Sequence, residues 1–209
     1  VATITATQAS HLNSAAVASL TTTAFSGLSA KALAAFTTTS TAGSATQQIQ
    51  AISGAQAATL TSAQVKGLSE SQVGALSSDA VLSLTPAAIK TISVGSIDNV
   101  NAVAFSQMTS AQIAALSPAQ FAALTHGSTS YVDTLTANGS TTNTTVTPSD
   151  STNQLAQIAS DQAAAISSLQ IKGLDAADIA ALTSDAVAAL QPATLKAIAP
   201  AAVDNIVDG

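Results

Sequence analysis

The stretch LTSAQVKGLSESQVGALSSDAVLSLTPAAIKTI, residues 60–92, holds four successive copies of one eight-residue unit. Each begins with Ser or Thr and continues with two variable residues, Gln or Ala, an apolar residue, two mostly small residues and a second apolar residue. The apolar pairs are Val65/Leu68, Val73/Leu76, Val81/Leu84 and Ile89/Ile92. Outward in the same phase lie Ile97/Val100, Phe105/Met108, Ile113/Leu116 and Phe121/Leu124, and backward Ile49/Ile52, Leu33/Phe36, Phe25/Leu28 and Val17/Leu20. The pair has been lost only at Thr41/Ser44. After Leu124 the pattern stops, then resumes two residues out of phase at Leu155/Ile158 and runs on through Val203/Ile206.

The unit predicts a helix restarted every eight residues. Position 1 is Thr61, Ser69, Ser77, Thr85, Asn101, Thr109, Ser117, Asp175 or Thr183, side chains that accept from the free amides of a first helical turn. Position 4 is often Gln, as at Gln56, Gln64, Gln72, Gln112, Gln120, Gln154 and Gln162, and Ser/Thr-x-x-Gln is a capping box. Pro86, Pro118, Pro192 and Pro200 all fall at position 2, where a helix tolerates proline. Lys66, Lys90, Lys172 and Lys196 occupy position 6, near a helix C-terminus, and Glu70, Asp79, Asp161 and Asp185 lie in the first turn, the arrangement the helix dipole favours. On one unbroken helix an octad advances roughly 800°, so the apolar stripe would drift by about 80° per unit. The prolines would then fall mid-helix at about 3 kcal/mol each. The expected fold is therefore all-α: a solenoid of two-turn helices, each too short to be stable alone and burying its apolar pair against its neighbours. Small pairs such as Ala114-Ala115 and Ala180-Ala181 are expected to let helices approach closely, with Ser, Thr, Ala and Gln on the surface.

A longer repeat overlies the octads. Residues 68–100 align without gaps on 174–206, an offset of 106, matching Lys66-Gly67-Leu68 with Lys172-Gly173-Leu174 and Ser78-Asp79-Ala80-Val81 with Ser184-Asp185-Ala186-Val187. The expected organisation is an octad solenoid over 1–124 containing the block 45–100, a Thr/Ser/Asn-rich insertion over 125–150, and a second octad block over 151–209. Asn138-Gly139 is a turn signal, so the insertion reads as a small β-hairpin or a polar loop. Asn138 and Asn143 each begin an N-x-Ser/Thr pattern, and Tyr131 is the one aromatic outside the octad apolar positions. These three are the candidate interaction residues.

Composition narrows the function classes. The chain of 209 residues has five Lys, no Arg, and a net charge of -6. A surface that binds nucleic acid must be cationic, so that partner is not expected. No apolar run reaches the roughly 18 residues of a membrane span. Cys is absent, which removes disulfides and thiolate metal sites. His11 and His126 stand in separate contexts without an acidic neighbour. No Gly-x-Ser-x-Gly elbow or phosphate loop occurs. Asp98, Asp175, Asp178 and Asp204 are too sparse for the six to eight oxygens that calcium takes and read as helix caps. Catalytic, cofactor-binding and metal residues are accordingly expected to be none. The start at Val1, without Met, reads as processing or as a fragment of something longer.

The runs LTSAQVKGL (60–68) and MTSAQIAAL (108–116) resemble the Leu-Thr-x-x-Gln-Val-x-Ala-Leu repeats of giant bacterial secreted or surface adhesin-like proteins. The resemblance covers nearly all of the chain except 125–150. It implies an extracellular or cell-surface location and a non-enzymatic structural role, as stalk, matrix or self-assembling filament. Self-association, end to end or lateral, is the expected partner chemistry. The alternative is an adhesin-type binding module presenting 125–150 or a solenoid face to a protein or glycan.

Overall fold

The computed structural model describes residues 4–38, 47–124 and 154–200. Among them are seventeen short α-helices, from Ala6–Ser10 to Pro192–Leu195, with 3-10 turns at Val94–Asn99 and Leu155–Gln157. The architecture is all-helical, its short helices packed in a repeating, staggered, solenoid-like arrangement.

One octad shows how the unit is made. In 61–68 the Thr61 hydroxyl accepts from the Gln64 amide at 3.3 Å, and Gln64 Oε1 accepts from the Thr61 amide at 2.7 Å. The Val65 amide donates to the Thr61 carbonyl at 3.0 Å, an α-helical bond, and the Leu68 amide to the Val65 carbonyl at 3.1 Å, a tighter three-residue bond. The helix then stops. Leu84 and Thr85 show the joint at the next-but-one boundary: φ/ψ is −62°/138° and then −66°/151°, two extended residues that turn the chain before Pro86. Proline at position 2 fits because it disfavours helical geometry in the residue before it. The helices are four to six residues long, such as Gly54–Ala57 and Ser78–Ser83, shorter than the two turns expected from the sequence. Position 1 is the cap, as the sequence predicts, and position 8 joins it in the extended joint, which leaves each octad little more than one helical turn.

The octads wind so that each packs on the third one ahead. Ser62–Lys66 meets Pro86–Ile89, Ser78–Ser83 meets Ala102–Gln107, and Ser160–Ala163 meets Ser184–Ala189. The apolar pair points inward, from Phe25 and Leu28 to Ile171 and Leu174, and forms one continuous core. Phe25 and Phe36 pack there with ring centroids 6.5 Å apart. Burying such pairs supplies the stability that an isolated helix of this length lacks. Turns approach closely enough that a Cβ added to Gly54 would lie 2.6 Å from Ser83 Oγ and 3.1 Å from the Asp79 carbonyl. The small residues at positions 6 and 7 divide between two roles: Ala114 and Ala180 are exposed, whereas Ala115 and Ala181 are half-buried.

The lost pair Thr41/Ser44 lies outside the described residues, but the residues on either side of it bond to each other. The Thr37 amide donates to Gln48 Oε1 at 2.8 Å, and the Ile49 amide to the Thr37 carbonyl at 3.3 Å. These are the bonds that position 1 makes within a Gln-bearing octad such as 61–68. Thr37 thus heads the octad that ends at Ile52, and one octad's length of sequence is passed over. The insertion at 125–150, with Tyr131, Asn138, Asn143 and the hairpin expectation, lies outside the described residues, as does His126. Deleting 38–45 joins Thr37 to Thr46-Gln47-Gln48 and regenerates Thr-x-x-Gln. The shortened chain should unfold within about 1 kcal/mol of the parent, because shortening the connection between Thr37 and Gln48 by one octad's length changes closure entropy by only about that much. Loss of the cooperative transition in circular dichroism would contradict this assignment.

Candidate functional site

The polar groups that the fold brings together are the position-4 glutamines. A helix of one turn leaves most of its terminal amides and carbonyls without partners inside itself. The capping box serves the amides. The position-8 carbonyl points from the helix end towards the next turn, where it needs a donor, and the position-5 carbonyl, which already accepts from the position-8 amide, has room for a second.

Glutamine supplies them. Gln112 Nε2 donates to the carbonyls of Leu82 at 3.1 Å and Leu84 at 2.9 Å, and Gln120 Nε2 to those of Ile89 at 3.1 Å and Ile92 at 2.8 Å. Gln170 does the same with Ile113 and Leu116, both at 2.9 Å. Gln56 reaches Val17 and Leu20, each at 2.8 Å, and Gln48 reaches Ala9 and Leu12. Gln64, Gln72, Gln154 and Gln162 complete the set among the described residues. One carboxamide therefore joins two octads: its nitrogen closes the C-terminus of the octad four earlier, and its oxygen closes its own helix N-terminus in all of these except Gln154, whose buried Oε1 has no hydrogen-bond partner among the described residues.

The separations fit a single rule. Gln112 and Gln120 lie 28 residues after their position-8 acceptors Leu84 and Ile92. Gln56, Gln64 and Gln72 lie 36 after theirs, because eight passed-over residues intervene. Gln154, Gln162 and Gln170 lie 54 after theirs, which is 28 once the 26 residues of 125–150 are set aside. The coil thus continues in register across both interruptions.

These glutamines are buried. Gln48 is 0% exposed and Gln72, the most exposed of the nine, only 5%. The sequence reading placed Gln on the surface with Ser, Thr and Ala. Burial overturns that, since the position-4 side chain points between turns. Where position 4 is not Gln, hydroxyls substitute in two places: Thr194 Oγ1 donates to Ile166 at 2.9 Å, and Ser77 Oγ to Ile52 at 3.4 Å. Gln8 makes its own capping box and is exposed.

The other sequence candidates are scattered. His11 is exposed at a helix end, with Nδ1 2.7 Å from the Thr7 carbonyl. Asp175 and Asp178 cap one helix reciprocally: the Asp175 amide donates to Asp178 Oδ2 at 2.8 Å and the Asp178 amide to Asp175 Oδ1 at 3.0 Å. Asp98 accepts from Asn99 Nδ2 at 2.9 Å. Among the described residues no three of His, Cys, Asp and Glu are grouped to hold a metal ion, and no helix is long and apolar enough to cross a membrane. A shallow groove of about 430 Å³ runs beside Pro86, Lys90, Leu116 and Pro118, and Lys90 is its sole charged wall. The fold and this ladder define a helical repeat architecture suited to scaffolding. Comparison with protein-family models, curated proteins and solved structures found no match.

Gln120→Ala should cost on the order of 2–3 kcal/mol in thermal unfolding, because the Ile89 and Ile92 carbonyls and the Ser117 amide all lose partners. Gln8→Ala, at an exposed position, should cost about 1 kcal/mol or less. Gln120→Glu turns the defect into a pH effect. The introduced carboxyl can donate to the carbonyls only when protonated, so its folded pKa is raised above the unfolded value of about 4.3. Its deficit relative to wild type should be smallest below that pH and grow as pH rises. A deficit independent of pH would show that the side chain does not face the carbonyls.

Proposed function

We propose that this chain is a structural protein, an extended repeat segment of an extracellular stalk, matrix or filament at a bacterial cell surface. The observation that carries the reading is the glutamine ladder. Polar side chains that the fold buries are committed to holding one turn to the next, and the same bond recurs from Gln48 to Gln170. Such an arrangement sums neighbour contacts along an axis and lengthens by adding units, as repeat solenoids do. The resemblance of 60–68 and 108–116 to adhesin-like repeats supports the extracellular setting and a non-enzymatic role. Low charge and an exterior rich in Ser, Thr and Ala favour side-by-side packing.

A binding role for 125–150 has its own support. The register is kept from Gln120 to Gln154, so the coil accommodates 26 additional residues between these two octads. A loop displayed from a rigid scaffold is a common way to present a recognition surface. Tyr131, Asn138 and Asn143 are then the residues to alter.

Electron microscopy of the native material, with circular dichroism alongside, separates the two readings. Regular helical filaments with an α-helical spectrum are expected. Monodisperse particles that bind glycan or protein only when 125–150 is present would move the assignment to a binding module, and a β-dominated spectrum would overturn both.

A further inference from the structure

We propose that the coil carries its cations on one side and the carboxylates of its described residues on the other two, and that the lysine side docks against an acidic side of a second copy of this chain. The inference rests on the structural reading above and names the lateral contact within it.

A line drawn up the side of the coil advances three or four octads per turn. Contacts between turns support a pitch between these values: Ser78 bonds to Asn101, 23 residues away, and Gln112 to Val81, 31 residues away. Ten octads make three turns of about 27 residues, within that interval.

The five lysines fall on one such line. The octads of Lys31, Lys66 and Lys90 stack in order, through helices Ala30–Ala34, Ser62–Lys66 and Pro86–Ile89. Gln120 then ties octad 117–124 to the end of the Lys90 octad at Ile92. On that octad stack those of Lys172 and Lys196, through Ser168–Ile171 and Pro192–Leu195. All five are exposed and are the only Lys or Arg of the chain.

The described acids avoid that line. Glu70 and Asp98 lie on stacked octads, which Gln154 joins at Val100 to the octad ending at Ile158, and Asp175 and Asp178 stand on the octad above. Asp79 leads likewise through octad 101–108 and Gln162 to Asp161 and then Asp185. The helix dipole explains why Lys66, Lys90, Lys172 and Lys196 occupy position 6, whereas Lys31 stands at position 3 of its octad. The dipole does not choose which octads receive Lys, and that choice is what separates the signs.

The longer repeat supplies the periodicity. Its offset of 106 is 80 once the 26 residues 125–150 are set aside, ten octads, or three turns. Lys66 and Lys172 are therefore on one side by construction, and Asp79 and Asp185 share another at the same axial spacing. A copy laid alongside meets cation with carboxylate at both places. Exposed apolar residues accompany each side: Leu169, 67% exposed, on the lysine line, and Val94 and Val103, 46% and 61%, on the acidic ones. They give the contact an apolar component that charge alone would not.

The test compares wild type with the full chain carrying Lys66→Gln, Lys90→Gln, Lys172→Gln and Lys196→Gln. Both are first matched by circular dichroism, then studied by sedimentation and negative-stain microscopy at about 20 mM and about 500 mM NaCl, which screens exposed charge. Wild type should form side-by-side bundles at low salt that come apart at high salt, and the variant should stay single in width at both. Bundles unaffected by the variant or by salt overturn the lysine side as the contact while leaving the structural reading intact. So do unbundled filaments throughout. Wild type that stays single but binds a sulfated polysaccharide, with the variant binding none, overturns the second copy as the occupant. Folded monomers under every condition overturn the structural reading as well.

Discussion

The structure depends on a helix end that cannot satisfy itself. An octad gives a helix of four to six residues, closed at position 1 by a hydroxyl and left at position 8 with a carbonyl directed at the next turn. Water would serve that carbonyl on an isolated unit. Within a stack it is covered, and a covered acceptor without a donor costs more than an ordinary hydrogen bond contributes. The carboxamide of Gln resolves this because it carries acceptor and donor together, at a length that spans from its own helix start to a neighbouring helix end. Glu has no donor when ionised, and Asn is one methylene shorter.

From that bond follow the pitch and the tolerance of the coil. A donor at position 4 that must reach position 8 of the fourth octad back fixes the advance per turn, and the apolar pairs of positions 5 and 8 then meet in the interior. Sequence can be added at a joint, where the backbone is already extended, as long as a position-1 residue remains to close the box. Thr37 and Gln48 show this across eleven residues. Stability is distributed along the axis, as expected of a fold in which each unit touches only near neighbours.

Much of this was legible in the sequence, and what was not has a physical reason. The caps, the prolines at position 2 and the apolar pairs each report on one octad, so Thr61, Pro86 and Val65 could be assigned from local chemistry. Gln64 was read correctly as the partner of Thr61 but placed on the surface, because a capping box normally sits in water and its second half says nothing of what lies opposite. The acceptors of Gln154 are 54 to 57 residues away, and no spacing rule reveals them until the insertion has been subtracted. Thr37 was assigned to a degenerate unit for the same reason. Its true partner, Gln48, lies beyond a stretch with no apolar pair. The candidate loop residues Tyr131, Asn138 and Asn143 were visible only as departures from the pattern.

Exchange of the glutamine side-chain amide protons, followed by NMR on uniformly labelled protein, tests the ladder most directly. Protons on Gln56, Gln64, Gln112, Gln120, Gln162 and Gln170 should exchange slowly, in step with the backbone amides of the core, while those of Gln8 exchange at the rate of a free carboxamide. Fast exchange at all of them would mean that the turns are held by apolar packing alone, and that the glutamines do no more than cap their own helices.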